Sequence, residues 1–505
     1  MSESTPNNVI DFPPPPPADP WDTVQDVDLL NYQTRAELMS RIWKGKAYYR
    51  PTSKSWIIWN DDKGYWQDER EPKHMGLWEV ICQEFLAKCC DRADELNLGI
   101  RFGPDSLLSH KAWTSVARLT RHQRAFRLDD RQFDINMRYM GVNNGVLDLN
   151  TGRLLKASPH LLVSTRLAVN YNPEAHSSIW DQFLVDISGD TLEGRDYRLF
   201  LREHFGAMLG GENEWEKFTI MHGPGGTGKS TFGNTIQRVL GVYGLDTNHD
   251  TFSRQRSGAI REDLAAFEGK RMVFAMELPD GHRLDPSIIK MLSGRDTIRA
   301  RRLYEGAREI EPTWSIAVAC NLLPRLDPPP DSGFWRRVLV LPFYRKPKRQ
   351  DQKLKNKLRS RQAKEAVFAW LVAGHQANRN RPYQTPTRLP KAVQKACAGY
   401  RIQYDHLGYW LEMNTTLQTG ASTSNVALYA SYLTFCGNYN VEPENVANSA
   451  TFGKYLSKQG FTPIRTMHTR SRANIEIRKT ALDVSEETSD ADGYSYPVNL
   501  GDFHI

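Results

Sequence analysis

Apolar and polar positions follow two kinds of pattern along the chain. Helical stretches with one apolar face alternate with short, continuously apolar runs of the kind found in buried strands. The main apolar runs lie at residues 218–221, 272–276, 314–320 and 338–341. Earlier in the chain, aromatic-rich runs flank turn residues 61–64, and Asn-Gly and Asn-Thr-Gly turns divide residues 140–155 into short strands. The pattern predicts an α/β core preceded by an α+β domain.

At 505 residues the chain is too long for a single core. Five consecutive prolines at Pro13–Pro17 indicate a disordered leader, and the last residues form an acidic segment without Lys or Arg. We divide the chain into a leader, an α+β N-terminal domain, the α/β core, a basic helical linker, a helical C-terminal module and an acidic tail. The predicted bounds are 1–30, 31–180, 181–345, 346–420, 421–482 and 483–505.

Charge and cysteine content narrow the classes of protein. Lys and Arg number 66 against 59 Asp and Glu, a surplus of seven that permits binding to a polyanion without requiring it. Six scattered cysteines without a C-x-x-C pair argue against a zinc ribbon and a disulfide framework. His74, Cys82, Cys89 and Cys90 leave a metal site open, although buried helical thiols are the commoner case. No apolar run of about eighteen residues exists, so we expect no membrane span and a cytoplasmic protein.

One motif carries specific chemistry. Residues 223–230 match G-x-x-x-x-G-K-[ST] between an apolar strand and a helix that stops at Gly241. Backbone N–H groups of such a loop surround phosphate oxygens, Lys229 would contact the β and γ phosphates, and Ser230 would ligate Mg²⁺. The alternative is a plain glycine-rich turn. The predicted nucleotide-binding residues are Gly223, Pro224, Gly225, Gly226, Thr227, Gly228, Lys229, Ser230 and Thr231.

Polar residues end two further strands. Glu277 follows one apolar run, where a carboxylate can orient the attacking water and lie near the metal, and Asn321 follows the next. Arg336 and Arg337 precede the last run, and an arginine that reaches a neighbour's γ-phosphate would stabilise transition-state charge. A surface Glu and a pair of surface or DNA-facing arginines are the alternatives.

The order of these motifs resembles the superfamily 3 helicases of phages, plasmids and large DNA viruses, and most closely the phage/plasmid primase–helicase family. The resemblance covers residues 45–480, which is most of the chain. It rests on the segments NGVLDLNTG, MHGPGGTGKST, KRMVFAMEL, IIKMLSGRDTIRARRLY, ACNLLPRL and DSGFWRRVLVLPF.

The resemblance implies an AAA+-like P-loop motor that uses ATP and Mg²⁺, assembles into a hexameric ring and unwinds DNA, usually from 3′ to 5′. It makes Glu277 the Walker B acid, which would hold the metal with Ser230, and makes Asn321 the sensor. Arg336 or Arg337 would be the finger supplied in trans. Two positions depart from the pattern: Met276 precedes Glu277 where many motors have a second acid, which gives Asp280 a possible metal role, and Arg295 stands where Gly is common.

The resemblance also implies DNA contacts. In the motor they would come from Lys290, near a DNA-gripping hairpin, from Arg301, and from Arg308 as a channel-facing residue. Residues 426–478 resemble a winged-helix module, in which basic side chains could meet phosphates. These are Lys454 and Arg470, with Lys458, Arg465 and Arg472 nearby.

The N-terminal 180 residues show no D-x-D pair followed by a histidine, so priming is expected from a separate primase or polymerase. The leading interpretation is a replicative helicase that acts on single-stranded and forked DNA. An ATP-gated initiator or loader that remodels an origin without processive unwinding is the first alternative. A nucleotide-switched assembly protein whose ring encloses no nucleic acid is the second.

Overall fold

The fold is given by a computed structural model. It describes residues 20–51, 53–98, 107–128, 132–211, 215–254, 261–301, 306–347, 351–379, 389–465 and 470–478. The described residues up to Leu149, with Arg153–Arg166, form one compact unit, and Asn150–Gly152 with the described residues from Leu167 onward form another. The division falls near residue 167 rather than at the predicted 180. The proline run and the acidic tail lie outside the described residues.

Among its described residues, the first unit contains four α-helices and two small antiparallel sheets. Its helices are α1 (Asp26–Leu29), α2 (Tyr32–Ile42), α3 (Leu77–Glu95) and α4 (His110–Thr120). One sheet has the order β1–β2–β3 (Ala47–Arg50, Ser55–Asn60, Tyr65–Asp68). The other has the order β4–β5–β6 (Tyr139–Val142, Gly145–Asp148, Arg153–Leu155). The connections β2–β3, β4–β5 and β5–β6 lie where turn residues predicted them.

Aromatic rings and thiols fill the core of the first unit. Trp56 on β2 stacks on Trp78 of α3 with ring centroids 3.9 Å apart. Cys82, Cys89 and Cys90 are buried in the same core, and burial raises the pKa of the Cys89 thiol to about 12. Among the described residues, these thiols belong to no group of three metal-ligating side chains. These cysteines therefore belong to the hydrophobic core.

Residues 20–30, which we expected in the disordered leader, are folded. Pro20–Thr23 form a 3₁₀ turn that is followed by α1. Val24 and Leu29 are buried in the core of the first unit. The expectation rested on the proline run at 13–17 and extended it too far along the chain. The folded part begins by residue 20.

The second unit contains eleven helices among its described residues. They are α5 (Ser178–Ser188), α6 (Leu192–Leu209), α7 (Lys229–Leu240), α8 (Glu262–Ala265), α9 (Pro286–Ser293), α10 (Ser332–Trp335), α11 (Leu354–Lys357), α12 (Arg361–Arg379), α13 (Lys391–Asn414), α14 (Asn425–Asn438) and α15 (Ser449–Lys458). Its strands are β7 (Phe218–His222), β8 (Gly244–Asp246), β9 (Met272–Leu278), β10 (Arg283–Leu284), β11 (Ile298–Arg301), β12 (Ala307–Ile310), β13 (Ser315–Cys320), β14 (Arg325–Leu326), β15 (Val338–Pro342), β16 (Thr415–Ser424), β17 (Pro463–Arg465) and β18 (Arg470–Ile477).

A five-stranded parallel sheet forms the centre of the second unit. Its order is β15–β7–β13–β9–β8. Every residue of β7, β13 and β15 is buried, as their continuous apolar runs predict. The carboxyl ends of parallel strands lie at one edge of a sheet, and β13 lies between β7 and β9. Residues that follow these three strands are thereby brought together.

Helices pack against this sheet. Phe232 of α7 contacts Trp180 of α5 with ring centroids 5.8 Å apart. Helix α12 lies so close to α6 that a Cβ at Gly374 would be 1.9 Å from the carbonyl oxygen of Arg202. Residues 346–420, predicted as a linker, therefore include a helix that is part of the packed unit.

Among the described residues, no helix combines the length and the apolar character that a bilayer crossing requires.

Helix α13 joins two hydrophobic cores. Tyr400 is buried in the core of the parallel sheet, and its hydroxyl donates to the carbonyl oxygen of Pro324 at 2.7 Å. The helix kinks at Asp405, where φ is −147° and ψ is 54°. Beyond the kink, Trp410 is buried with α14 and α15 in a second core. The antiparallel sheet β16–β18–β17 completes this C-terminal module, and Asn448 caps α15 where we expected Ser449 to do so.

Candidate functional site

The glycine-rich segment connects β7 to α7 at the carboxyl edge of the sheet. Gly226 and Gly228 have φ values of 80° and 95°, a left-handed conformation that glycine adopts without strain. At Gly223 the backbone passes so close to β15 that a Cβ would lie 1.9 Å from the carbonyl oxygen of Phe343. By contrast, a Cβ at Gly225 would meet no atom within 4 Å. The loop is fixed at its base and open at its tip.

Lys229, the first residue of α7, is only 6% exposed. Its ammonium donates to the carbonyl oxygens of Gly223 and of Pro224, the latter at 2.9 Å, and to Oδ1 of Asn321 at 3.1 Å. Burial lowers the pKa of Lys229, and the nearby Glu277 carboxylate opposes that shift. Three oxygen acceptors surround one cation. Phosphate oxygens are stronger acceptors of the same kind of hydrogen bond.

Glu277 lies on β9 at a break in its pairing with β13, between Val318 and Cys320. Its φ is 67°, a conformation that a residue with a side chain adopts only under strain. The carboxylate is exposed, and its Oε1 lies 3.5 Å from Oγ of Ser230. The irregular strand end thus directs a carboxylate towards the start of α7.

The predicted groups share one cleft with a volume of about 1200 Å³. Residues 225–231, Glu277, Asp280 and Asn321 line it. The sheet order explains this arrangement, because all these residues lie at the carboxyl end of β7, β9 or β13 or directly after it. The structure therefore brings together Lys229, Ser230, Glu277 and Asn321, which the sequence analysis connected only through their strands.

Two further walls of the cleft were missed from the sequence. Ser178, Ile179 and Phe183 on α5 form one of them, and Lys355 of α11 lies on the other. Helix α5 comes so close to the loop that a Cβ at Gly228 would lie 2.7 Å from Cγ2 of Ile187. No motif marks these residues. Only the dense run of basic residues after 344 gave a signal for α11.

His222 was also missed, although it immediately precedes the glycine-rich loop. Its Nδ1 lies 3.0 Å from the hydroxyl of Tyr344. Burial, and then the positive charge of Lys229, lowers the pKa of His222 to about 4. The imidazole is therefore neutral at physiological pH and adds no second charge beside the lysine.

Arg336 and Arg337 lie at the opposite edge of the sheet, because they precede β15. Both guanidinium groups donate to Oε2 of Glu216, at 2.9 and 2.7 Å. The side chain of Arg337 is 14% exposed and also donates to the carbonyl oxygen of Gly333, whereas that of Arg336 is 68% exposed. A five-residue strand puts about 16 Å between them and the carboxyl edge. Neither is among the described residues that line the cleft.

The residues predicted to contact DNA in the motor differ in their surroundings. Lys290 forms an ion pair with Asp331 at 2.6 Å, so its charge is directed towards α10. Arg308 forms an ion pair with Glu268 and faces inward beside Ala300. Arg301 and Arg299 share the exposed face of the β11–β12 hairpin. Arg299 therefore shares a face of the hairpin with Arg301, whereas Arg308 lies on the face of Ala300 with its side chain 35% exposed.

The C-terminal basic residues divide in a similar way. Lys454 on α15 and Arg470 on β18 are exposed, and Arg470 lies opposite the exposed Arg465 of β17. Arg472 is buried and donates to the carbonyl oxygens of Gly453 and Phe461 and to the Ser457 hydroxyl. It holds α15 on the sheet, so its guanidinium is not available to a phosphate. Arg465 and Arg470, which lie opposite each other, carry like charges that repel unless an anion lies between them.

Comparison with known proteins gives two family matches. Residues 36–189 match a family described as "D5 N terminal like", and residues 221–337 match a family of unknown function (DUF5906). The second range contains the glycine-rich loop, Glu277, Asn321 and both arginines. Each match covers less than half of the chain.

Curated relatives share shorter stretches with this protein. The chain is 31% identical over 225 residues to "Putative helicase L207/L206" of Acanthamoeba polyphaga mimivirus, which is 43% of this chain and 23% of that one. It is 30% identical over 120 residues to "Uncharacterized mitochondrial protein ymf21" of Marchantia polymorpha, 22% of this chain and 66% of that one. The chain thus spans about a quarter of the length of the viral relative. The viral relative and the first family match support the resemblance to phage and viral primase–helicases.

Among solved structures, the chain is similar to the apo structure of the NrS-1 C terminal region (305–718). The TM-score is 0.37 at 13% identity, over 61% of this chain and 78% of that one. A second structure, the A form apo structure of the same region, gives a TM-score of 0.36 at 12% identity.

Proposed function

We propose that this protein is an ATP-driven DNA helicase of phage or plasmid replication. The observation that carries the proposal is the convergence of the Lys229 ammonium, the Asn321 amide and the Glu277 carboxylate on one glycine-rich loop. A cation, a polar sensor group and an acid at the start of one helix are the groups that phosphoryl transfer requires. The stretch shared with the viral relative named as a putative helicase supports the assignment.

The residues fit a nucleoside triphosphate with Mg²⁺. Backbone N–H groups of the loop and the start of α7 would hold the phosphates, and Lys229 would exchange its carbonyl partners for phosphate oxygens. The Ser230 hydroxyl and the Glu277 carboxylate, with Asp280 in the same cleft, offer the oxygen ligands that Mg²⁺ prefers. The metal would neutralise charge on the phosphates. Glu277 would orient the attacking water, and Asn321 would hydrogen-bond the γ-phosphate.

Hydrolysis by single-residue variants tests this site. We expect Lys229→Ala to reduce ATP turnover by about 10²–10³-fold, the usual effect of removing one preorganised donor. Lys270→Ala is the matched control, because the Lys270 ammonium donates to the carbonyl oxygen of Val242 and lies outside the described lining of the cleft. Near-normal turnover of Lys229→Ala, with an unchanged circular dichroism spectrum, would reject the loop as the nucleotide site.

The position of the arginines supports a ring. Arg336 is too far from the cleft of its own chain to reach a bound phosphate, yet it is exposed and lies just before β15, the strand next to β7. We infer that Arg336 completes the cleft of a neighbouring subunit, and that the partly buried Arg337 holds the segment in place. Head-to-tail contacts of this kind close into rings, here a proposed hexamer.

Mixed assemblies test the ring. Arg336→Ala subunits keep an intact cleft, and Lys229→Ala subunits keep an intact arginine finger. In a random equal mixture, about a quarter of the interfaces therefore combine an intact cleft with an intact finger. Two separately inactive variants should therefore regain hydrolysis when mixed. The mixture of Arg337→Ala with Lys229→Ala is the comparison, and it should regain none beyond the Arg337→Ala value. Absence of recovery in the first mixture would remove the finger role of Arg336.

The basic faces support DNA as the partner. Arg299 and Arg301 on the hairpin, and Lys454 and Arg470 on the C-terminal module, present exposed cations of the kind that contact phosphates. Hydrolysis stimulated by single-stranded DNA would separate a DNA motor from an assembly protein. Displacement of a strand from a 3′-tailed fork would separate a helicase from an initiator or loader. Primers would come from a separate primase or polymerase.

A further inference from the structure

A second cluster of polar side chains lies outside the described lining of the nucleotide cleft. His249, Asp250 and His282 each offer one ligand atom, and these atoms lie within 4.8 Å of one another. The rings of His249 and His282 meet at 85° with their centroids 4.9 Å apart, and Nε2 of His249 is 3.5 Å from Oδ1 of Asp250. Among the described residues, this is the one group of three such side chains. We propose that it binds a transition-metal ion of the zinc class.

Ser253 holds the ring of His282 in place. The Ser253 hydroxyl donates to the carbonyl oxygen of Arg283 at 2.9 Å, and the same oxygen lies 2.9 Å from Nε2 of His282. Metal-binding histidines usually keep one ring nitrogen against an outer partner of this kind, which fixes the orientation of the ring.

Two imidazoles and a carboxylate suit zinc, cobalt or nickel, whereas Mg²⁺ prefers oxygen ligands. The cluster and the proposed Mg²⁺ position therefore select different ions.

The cluster connects two segments that follow neighbouring strands. His249 and Asp250 lie in the 3₁₀ turn after β8, and His282 lies four residues after the end of β9. Asp280, two residues before His282, lines the nucleotide cleft. A bound ion would tie the segment that carries Asp280 to the 3₁₀ turn, whose Phe252 is buried in the core. The inference concerns a structural ion and stands independently of the proposed helicase activity.

Metal binding to the full chain tests the proposal. Chelator-treated protein would be titrated with Zn²⁺ by calorimetry, with Mg²⁺ present in excess to compete at oxygen-rich positions. We expect one Zn²⁺ per chain, at least tenfold weaker binding in His249→Ala and in His282→Gln, and a 10–100-fold loss in Ser253→Ala as an outer partner. His122→Ala/His160→Ala removes two exposed imidazoles elsewhere and should bind as the parent does.

Cobalt spectroscopy provides a second readout. Co²⁺ bound by nitrogen and oxygen ligands gives visible ligand-field bands without the charge-transfer band of a cobalt thiolate, so it distinguishes the cluster from the cysteines. The circular dichroism spectra of the variants would show that they are folded. Equal Zn²⁺ affinity in parent, His249→Ala and His282→Gln, or a thiolate band in the Co²⁺ protein, would overturn the proposal.

Discussion

The backbone of Glu277 makes the candidate acid testable in two independent ways. Its side chain projects into the cleft from a residue with φ of 67°, in the left-handed region that glycine tolerates and other residues resist. Glu277→Gln removes the negative charge and keeps the shape. Glu277→Ala removes the side chain and keeps the backbone strain, whereas Glu277→Gly removes both. The three variants should agree in activity and differ in stability.

General values give the expected loss of ATP turnover and the expected change in stability. A positioned group that assists proton transfer contributes about 10²–10⁴-fold, so each variant should hydrolyse ATP slower by that factor. Left-handed backbone costs a non-glycine residue roughly 1–2 kcal/mol, and the extra flexibility of unfolded glycine offsets about 0.5–1 kcal/mol of the relief. Glu277→Gly should therefore be more stable than Glu277→Ala by about 0.5–1 kcal/mol.

Steady-state ATP hydrolysis and urea unfolding measure the two quantities. Nucleotide binding should persist in all three variants, which a fluorescent ATP analogue would show. If turnover stays at the parent level, the acid lies elsewhere in the cleft. If Glu277→Ala proves more stable than Glu277→Gly, the left-handed assignment at this strand end is wrong, whatever happens to turnover.

Three further expectations concern packing, DNA and pH. Gly223→Ala should lose about 1–3 kcal/mol of stability because its Cβ would overlap a backbone carbonyl, whereas Gly225→Ala, with no atom within 4 Å, should unfold like the parent. Arg472→Met should lose roughly 2–4 kcal/mol of stability through its three hydrogen bonds, one buried and two partly buried. Arg470→Ala should leave unfolding unchanged and lower the slope of log DNA affinity against log salt by about 1. Burial lowers the pKa of His204 from 6.5 to about 3, so below pH 6.5 the unfolded chain binds a proton that the folded chain does not. Stability should consequently fall as pH drops from about 6.5 towards 3, by up to about 1.4 kcal/mol per unit, and His204→Gln should flatten that slope in acid unfolding. An unchanged slope would contradict this account of His204.

The elements that the sequence predicted well have local causes. The strands β7, β13 and β15 are continuously apolar because they are buried on both faces, and α7 stops at Gly241 because its C-cap there needs a positive φ. These features require only a few neighbouring residues, so a pattern reveals them. The roles of Lys229, Glu277 and Asn321 were assigned partly by family resemblance, and they remain predictions for the variants to test.

What the sequence missed depends on distant contacts. The hairpin register places Arg308 beside Glu268, forty residues earlier in the chain, and leaves Arg299 on the open face with Arg301. The walls of the cleft on α5 and α11 come from segments about fifty residues before and 125 residues after the loop. No short-range pattern records such distances. Arg472 is a second example, because its positive charge suggests a DNA contact in the sequence, whereas its burial in the structure removes it from the surface.

The shared helix α13 decides how the proposed ATP hydrolysis and the proposed DNA binding can be tested separately. A truncation before Lys391 would strip Tyr400 from the core of the parallel sheet, and one after Asn414 would leave the indole of Trp410 without the module that buries it. Loss of hydrolysis in such a shortened protein would therefore result from the disrupted core and would give no information on DNA binding. Surface substitutions at Lys454 and Arg470 keep both cores whole, so they can dissect the roles of the motor and the C-terminal module.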